Sequence, residues 1–343
     1  MHKDTPSPDP APWQGLLDEF RTMGGVAHNI VLRPSASGRG LFPENPERPV
    51  CLLVPDSLLF RTRDIGLVGD RIGIADGVET EPRTKSFFER YQTEHFCGGA
   101  RTESARLIDM FDSLQPELRN RLAAEFGLKD FVVGDREKRI FRYFFRSRAI
   151  RWRGDTYLVP LLDRMNRGER GLKAKPGPGG GLQIEGSTEG EILLSFDSQD
   201  SLGTFTKHGI AVPRMHAYSV PTRTKAGAIE LVIGRDVTMG TGHPGSGPPQ
   251  MQVESGNIHL SYLTVGNVKS PRLPRGIFYT LMRKAGVAHA EDAFDKILFV
   301  NRTKFLSLLE ALEPLNGELV SRLRRMAHFQ LAALAECVGA RTL

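Results

Sequence analysis

The sequence predicts an α+β fold, on three observations about how its hydrophobic residues are spaced. Between Asn29 and Phe60, short apolar runs ("NIVL", "VCLLV") alternate with Gly, Pro and Asn turns, which is the signature of a strand-rich zone. From about Thr84 to Trp152 the spacing becomes helical, as in Leu107, Ile108, Phe111 and Leu114, then Leu118, Leu122 and Phe126, then Ile140, Phe141, Phe144 and Phe145. Strand signals return from Tyr157 to about Val268, and after "PRLPRG" the three-and-four spacing resumes to the C-terminus.

Each zone follows from its residues. The start, "MHKDTPSPDPAPWQG", is Pro-rich and is expected to be a flexible or extended tail over residues 1–24. "YLVPLL", "EILLSFD", "AIELVIG" and "NIHLSYLTV" read as strands, while "KPGPGGG" and "GTGHPGSGPPQ" read as exposed excursions whose composition resists regular structure. "DAFDKILFVNRTKFLSLLEALEPL" and "GELVSRLRRMAHFQLAALAECV" predict a helical end lobe. No internal repeat and no useful heptad run is present.

Composition bounds the function. The chain has 343 residues, 40% of them hydrophobic and 25% charged, enough for more than one core. Basic residues exceed acidic ones by six and are interspersed with them, with no RNP-like motif, zinc finger or long Lys/Arg tract, so no nucleic acid partner is expected. Cys51, Cys97 and Cys337 are too few and too scattered for a structural zinc site, and suit a reduced cytoplasmic protein with no bound metal. No apolar run approaches the ~18 residues of a membrane span, and the N-terminus lacks a signal-peptide core. GxxxxGK[ST], HExxH and GxSxG are all missing.

Five segments in a fixed order carry the strongest signal: "SRAI", "VPLLDRMNRG", "GEILLSFD", "KHGI" and "HAY", preceded by "SGRGLFPENPERPVCLLVP". This succession resembles the SET-domain lysine methyltransferases, in the branch that methylates the Rubisco large subunit. Members of that branch read GxGL, SRAF, VPxxDxxNHS, GEEhxxxYG, YGF and HAY in this order. The resemblance covers roughly Asn29 to Gly276. It implies a SET-type core of small twisted sheets in two parts, residues 25–83 and 147–271, with a helical insert at 84–146 and a helical lobe at 272–343.

It further implies an S-adenosylmethionine-dependent N-methyltransferase acting on a lysine or another amine, in a protein or a small molecule. The donor would be held by the Gly38, Arg39, Gly40, Leu41 turn and by Asn166, with Asp163 and Arg167 beside it. Ser147, Arg148 and Ile150 would line the lysine port, and Phe196 and His208 would shape the amine site. Tyr262, placed on one strand face by its alternation with Leu260, would set its hydroxyl beside the transferring methyl group. The chain departs from the family where Arg167 replaces a His, Phe196 and His208 replace tyrosines, and Ile210 replaces a Phe.

The same residues admit plainer readings. Asp163 and Asn166 are good helix caps, Gly38 and Gly40 suit a tight turn, and Tyr262 suits a half-buried strand. The departures also motivate a SET-like scaffold that binds a partner without methylating it.

Overall fold

The computed structural model describes residues 10–35, 38–69, 71–169, 171–195, 199–235, 249–254, 256–288 and 290–339. The expected α+β mixture of helices with several small sheets is what it contains. The chain forms two compact units: Met1–Arg106 with Ile140–Phe196, and Leu107–Arg139 with Asp197–Leu343. The stretch read as one helical insert is thus divided between them.

The first unit centres on a four-stranded antiparallel sheet in the order Val26–His28, Val50–Val54, Leu182–Gly186, Lys175–Pro176. Val50, Leu52 and Val54 alternate onto its buried face, where the register sets Leu52 opposite Ile184 and Val54 opposite Leu182. Around it stand the hairpins Val31–Ser35/Gly38–Phe42 and Ile65–Val68/Arg71–Ile74, and a three-stranded sheet of Phe60–Arg61, Asp155–Leu158 and Ile150–Trp152. The helix Pro82–Gln92 buries Thr84, Phe87, Phe88, Tyr91 and Gln92, and runs into a π-helical segment, Thr93–Ala100.

Two expectations are corrected here. Pro10–Thr22 is a helix, not part of a flexible tail, because Trp13, Leu16, Leu17 and Phe20 fall on one buried face. "KPGPGGG" closes a hairpin: Lys175–Pro176 pairs with Leu182–Gln183, and the Gly177 N–H donates to the Gly181 carbonyl at 2.9 Å. Gly179 and Gly180, at φ 63° and 88°, make that reversal possible. Most of "GTGHPGSGPPQ" lies outside the described residues.

The second unit holds a four-stranded sheet in the order Thr222–Ala226, Ile229–Gly234, Asn257–Ser261, Gln250–Glu254, and the pair His216–Tyr218/Thr264–Asn267. The long helices Glu291–Leu312 and Glu318–Gly339 supply Phe294, Ile297, Phe305, Leu308, Leu323 and Met326 to its core, as their apolar spacing predicts. No described helix is long and apolar enough to cross a membrane.

Candidate functional site

Three separated segments of the first unit meet at Asn166. The hairpin sets Ser35 opposite Gly38 and Arg33 opposite Gly40, and its Leu41 is fully buried. The segment after Gly190 is stitched to both neighbours: Ile192 N–H donates to the Leu41 carbonyl at 2.7 Å, and Leu194 N–H to the Asn166 carbonyl at 2.8 Å. Arg167–Gly168 then pairs in parallel with Leu194–Ser195.

Glu191 thereby comes between Gly40 and Asn166. The Asn166 Nδ2 donates to Glu191 Oε1 at 2.5 Å and to Ser35 Oγ at 3.2 Å. A Cβ at position 40 would lie 2.0 Å from Glu191 Oε1, so the missing side chain of Gly40 is what admits the carboxylate. Glu191 falls within the "GEILLSFD" segment, where the local sequence assigns it no role. The signal that marks it is the contact with Gly40, far away in the chain. Arg167 donates from Nη1 to the Ser195 carbonyl at 3.3 Å.

Asp163 lies beneath this turn, not in its wall. It is 1% exposed, inside the 3-10 turn Leu162–Arg164, and its carboxylate accepts from the Tyr91 hydroxyl and, at 3.0 Å, from Gln92 Nε2. The strand expected to run into this motif ends at Leu158, and neither Asp163 nor Asn166 caps a helix. Burial raises the Asp163 pKa, outweighing its hydrogen bond from Tyr91 and the charge of Arg164. Burial and the Asp163 charge in turn push the Tyr91 phenol well up. The neighbouring His95 is held neutral by burial first and by the Arg164 and Arg148 charges next, and its Nε2 has no hydrogen-bond partner among the described residues.

Of the residues expected at the lysine port, Arg148 donates to the Asp163 carbonyl at 3.0 Å and to Glu103 at 3.3 Å. Ser147 donates to the Phe144 carbonyl of its own helix at 3.0 Å. Ile150 pairs with Tyr157 at the start of its strand. Arg148 therefore braces the turn that carries Asn166. Phe196 lies outside the described residues.

Tyr262 and His208 belong to the second unit. Tyr262 is not within a strand: Asn257–Ser261 ends before it, Thr264–Asn267 begins after it, and its φ is 53°. Alternation with Leu260 misleads because this reversal uses no glycine. The Tyr262 ring meets Tyr218 edge-on at 5.5 Å, and Tyr218 in turn lies 4.9 Å from the His216 ring. Burial and the Asp200 charge push the Tyr218 phenol far up. His208 closes the helix Ser201–His208 ahead of Gly209, whose φ of 68° ends it.

Among the described residues, no group of three or more His, Cys, Asp or Glu side chains is placed to hold a metal ion. No family model matches the sequence, and no curated protein matches it. Solved structures to which the chain is similar include the SET domain of LSMT bound to lysine and AdoHcy, at a TM-score of 0.46 and 13% identity over 97% of this chain and 91% of that one. Rubisco LSMT bound to AdoMet aligns at 0.45 and 13%, over 96% and 91% of the two chains. Rubisco LSMT bound to sinefungin and monomethyllysine aligns at 0.45 and 12%, over the same shares.

Proposed function

We propose that the protein is an S-adenosylmethionine-dependent N-methyltransferase acting on a lysine or another amine, most simply of a cytoplasmic protein. One observation supports this above the others. The two segments that the sequence resemblance gives to the donor, "GRGL" and "NRG", come together around Gly40 and Asn166 with Glu191 between them, although Ser35 and Asn166 are 131 residues apart.

These residues fit such a donor. The bare backbone of Gly40 allows close approach, the Asn166 amide offers both a donor and an acceptor, and Glu191 supplies negative charge. When bound, S-adenosylmethionine supplies a methyl group activated by a sulfonium. The residues of the chain must align it with the amine and keep that amine deprotonated. A lysine titrates near ~10.4 in water, and burial beside a cation lowers that value. The sequence resemblance gives the Tyr262 hydroxyl the task of orienting the amine lone pair along the line of transfer.

Calorimetric titration with S-adenosylmethionine and S-adenosylhomocysteine tests the reading. Saturable binding is expected, and Asn166→Ala is expected to abolish it in a protein that still folds. No binding by the wild-type protein would sink the methyltransferase reading in favour of a non-methylating scaffold. Once an acceptor is found, Tyr262→Phe should lower turnover about 10- to 100-fold while leaving donor affinity within twofold. Full turnover in that variant would remove Tyr262 from its role.

A further inference from the structure

The helix Glu291–Leu312 of the second unit buries Phe294, Ile297, Phe305 and Leu308 on one side and carries a solvent-facing crest on the other. Lys296, Phe299, Thr303, Leu306 and Glu310 are all exposed and recur every three or four residues, so they form a single stripe along the helix. Phe299 is 70% exposed, more than any other large hydrophobic among the described residues, and Leu306, about two turns further on, is 43% exposed. A lone exposed apolar side chain is ordinary, but two in line make a seam. The charges at the ends of the seam are unpaired: neither Lys296 nor Glu310 has a hydrogen bond or ion pair among the described residues. Other charges on the helices of this unit do pair, Asp295 of the same helix with Arg275 at 2.7 Å and Glu125 with Arg121 at 3.3 Å.

We propose that this crest is a self-association face, covered by the same helix of a second copy of the chain running antiparallel across a two-fold axis at Arg302–Thr303. The stripe is self-complementary about that point. The midpoint of Phe299 and Leu306 falls between Arg302 and Thr303, and that of Lys296 and Glu310 falls on Thr303. The two midpoints differ by less than about 1 Å along a helix that rises ~1.5 Å per residue. One axis therefore sets Phe299 against Leu306 of the second copy and Lys296 against its Glu310, each contact being made twice. A parallel pairing would instead set Lys296 against Lys296 and Glu310 against Glu310, which like charges disfavour. Arg302 also meets its own copy across the axis, but on the exposed flank of the stripe, where solvent and salt screen the repulsion. A contact built on one helix face belongs to the small, transient end of protein interfaces, so a reversible dimer dissociating in the micromolar range is expected.

Sedimentation velocity of the full chain, at loading concentrations from about 1 µM to about 500 µM, tests this. The wild-type protein is expected to pass from monomer to dimer across that range, and a monomer throughout overturns the proposal. Phe299→Gln and Leu306→Gln place a good helix former at an exposed position, so their melting midpoints should stay at the wild-type value. Each should nevertheless weaken the dimer about 100-fold, because the substitution enters the interface twice. A dimer of unchanged affinity in Phe299→Gln would put the interface elsewhere and overturn the assignment. Lys296→Glu and Glu310→Lys should each weaken the dimer about 10-fold, and their combination should restore the wild-type affinity by remaking both pairs with reversed sign. Single reversals without effect, or a double reversal no tighter than the singles, overturn the antiparallel register.

Discussion

Asp200→Ala is expected to lose about 3–5 kcal/mol of stability, read as a shift in the urea midpoint at unchanged slope. The Asp200 carboxylate is fully buried and gathers four donors. On Oδ1 it accepts the Gly203 N–H at 2.7 Å, capping the helix Ser201–His208. On Oδ2 it accepts Tyr218 N–H at 2.9 Å, Gln330 Nε2 at 2.7 Å and the Arg235 guanidinium. Truncation removes the cap, worth about 1 kcal/mol. It also leaves the Arg235 charge with the carbonyls of Ser219 and Tyr218 as its remaining partners in this cluster, 3.1 and 3.0 Å away.

The pH dependence has a definite sign. Burial alone would raise the Asp200 pKa, but the Arg235 charge and hydrogen bond, with two backbone N–H groups, bring it below the ordinary carboxylate value. Its stabilisation is therefore complete above about pH 4 and is lost as the pH falls through that lowered value. Asp200→Asn should flatten this acid limb while keeping a capping oxygen. If Asp200→Ala unfolds within 1 kcal/mol of wild type, the hub carries no such weight.

What the sequence made legible was set by distance along the chain. The C-terminal helices follow from apolar spacings within one turn, and the strand Val50–Val54 from its alternation. The helix Pro10–Thr22 was hidden by composition: Pro10 and Pro12 suggest an extended tail, yet a proline in a first turn costs a helix little. The Asp163 motif was visible, but its task was not, because the hydroxyl and amide that consume its carboxylate come from Tyr91 and Gln92, more than 70 residues earlier. Glu191 was hidden for the same reason, since its importance rests on a glycine in another hairpin. Motif order locates the segments, and only contacts distant in the chain show which of their side chains, such as Asp163, are consumed inside the fold.

Asp163→Ala should test that division with the second large effect, a loss of about 3–5 kcal/mol together with the donor affinity of the Asn166 turn. Without this carboxylate, the Tyr91 hydroxyl and Gln92 Nε2 lose their acceptor, and the charges of Arg164 and Arg148 lose a nearby anion. The same Tyr91 hydroxyl accepts the Leu161 N–H at 2.8 Å, and Leu161 has φ 69° and ψ −41°, a strained conformation for a residue with a branched side chain. Tyr91→Phe frees that backbone while sparing the aromatic packing, and should cost about 1–3 kcal/mol. Asp163→Asn is the milder change, because Gln92 Oε1 has no partner among the described residues and a flip of its amide would let it accept from the new Nδ2. It also removes a pH effect opposite in sign to that of Asp200: with its folded pKa raised, Asp163 costs stability as the pH rises through that value, and the cost is absent below the ordinary carboxylate range. The brace holds if Asp163→Ala and Tyr91→Phe weaken donor binding in proportion to their loss of stability while Asp163→Asn weakens neither. Asp163→Ala that melts early yet binds donor with wild-type affinity would show that Asn166 keeps its position without the network beneath it.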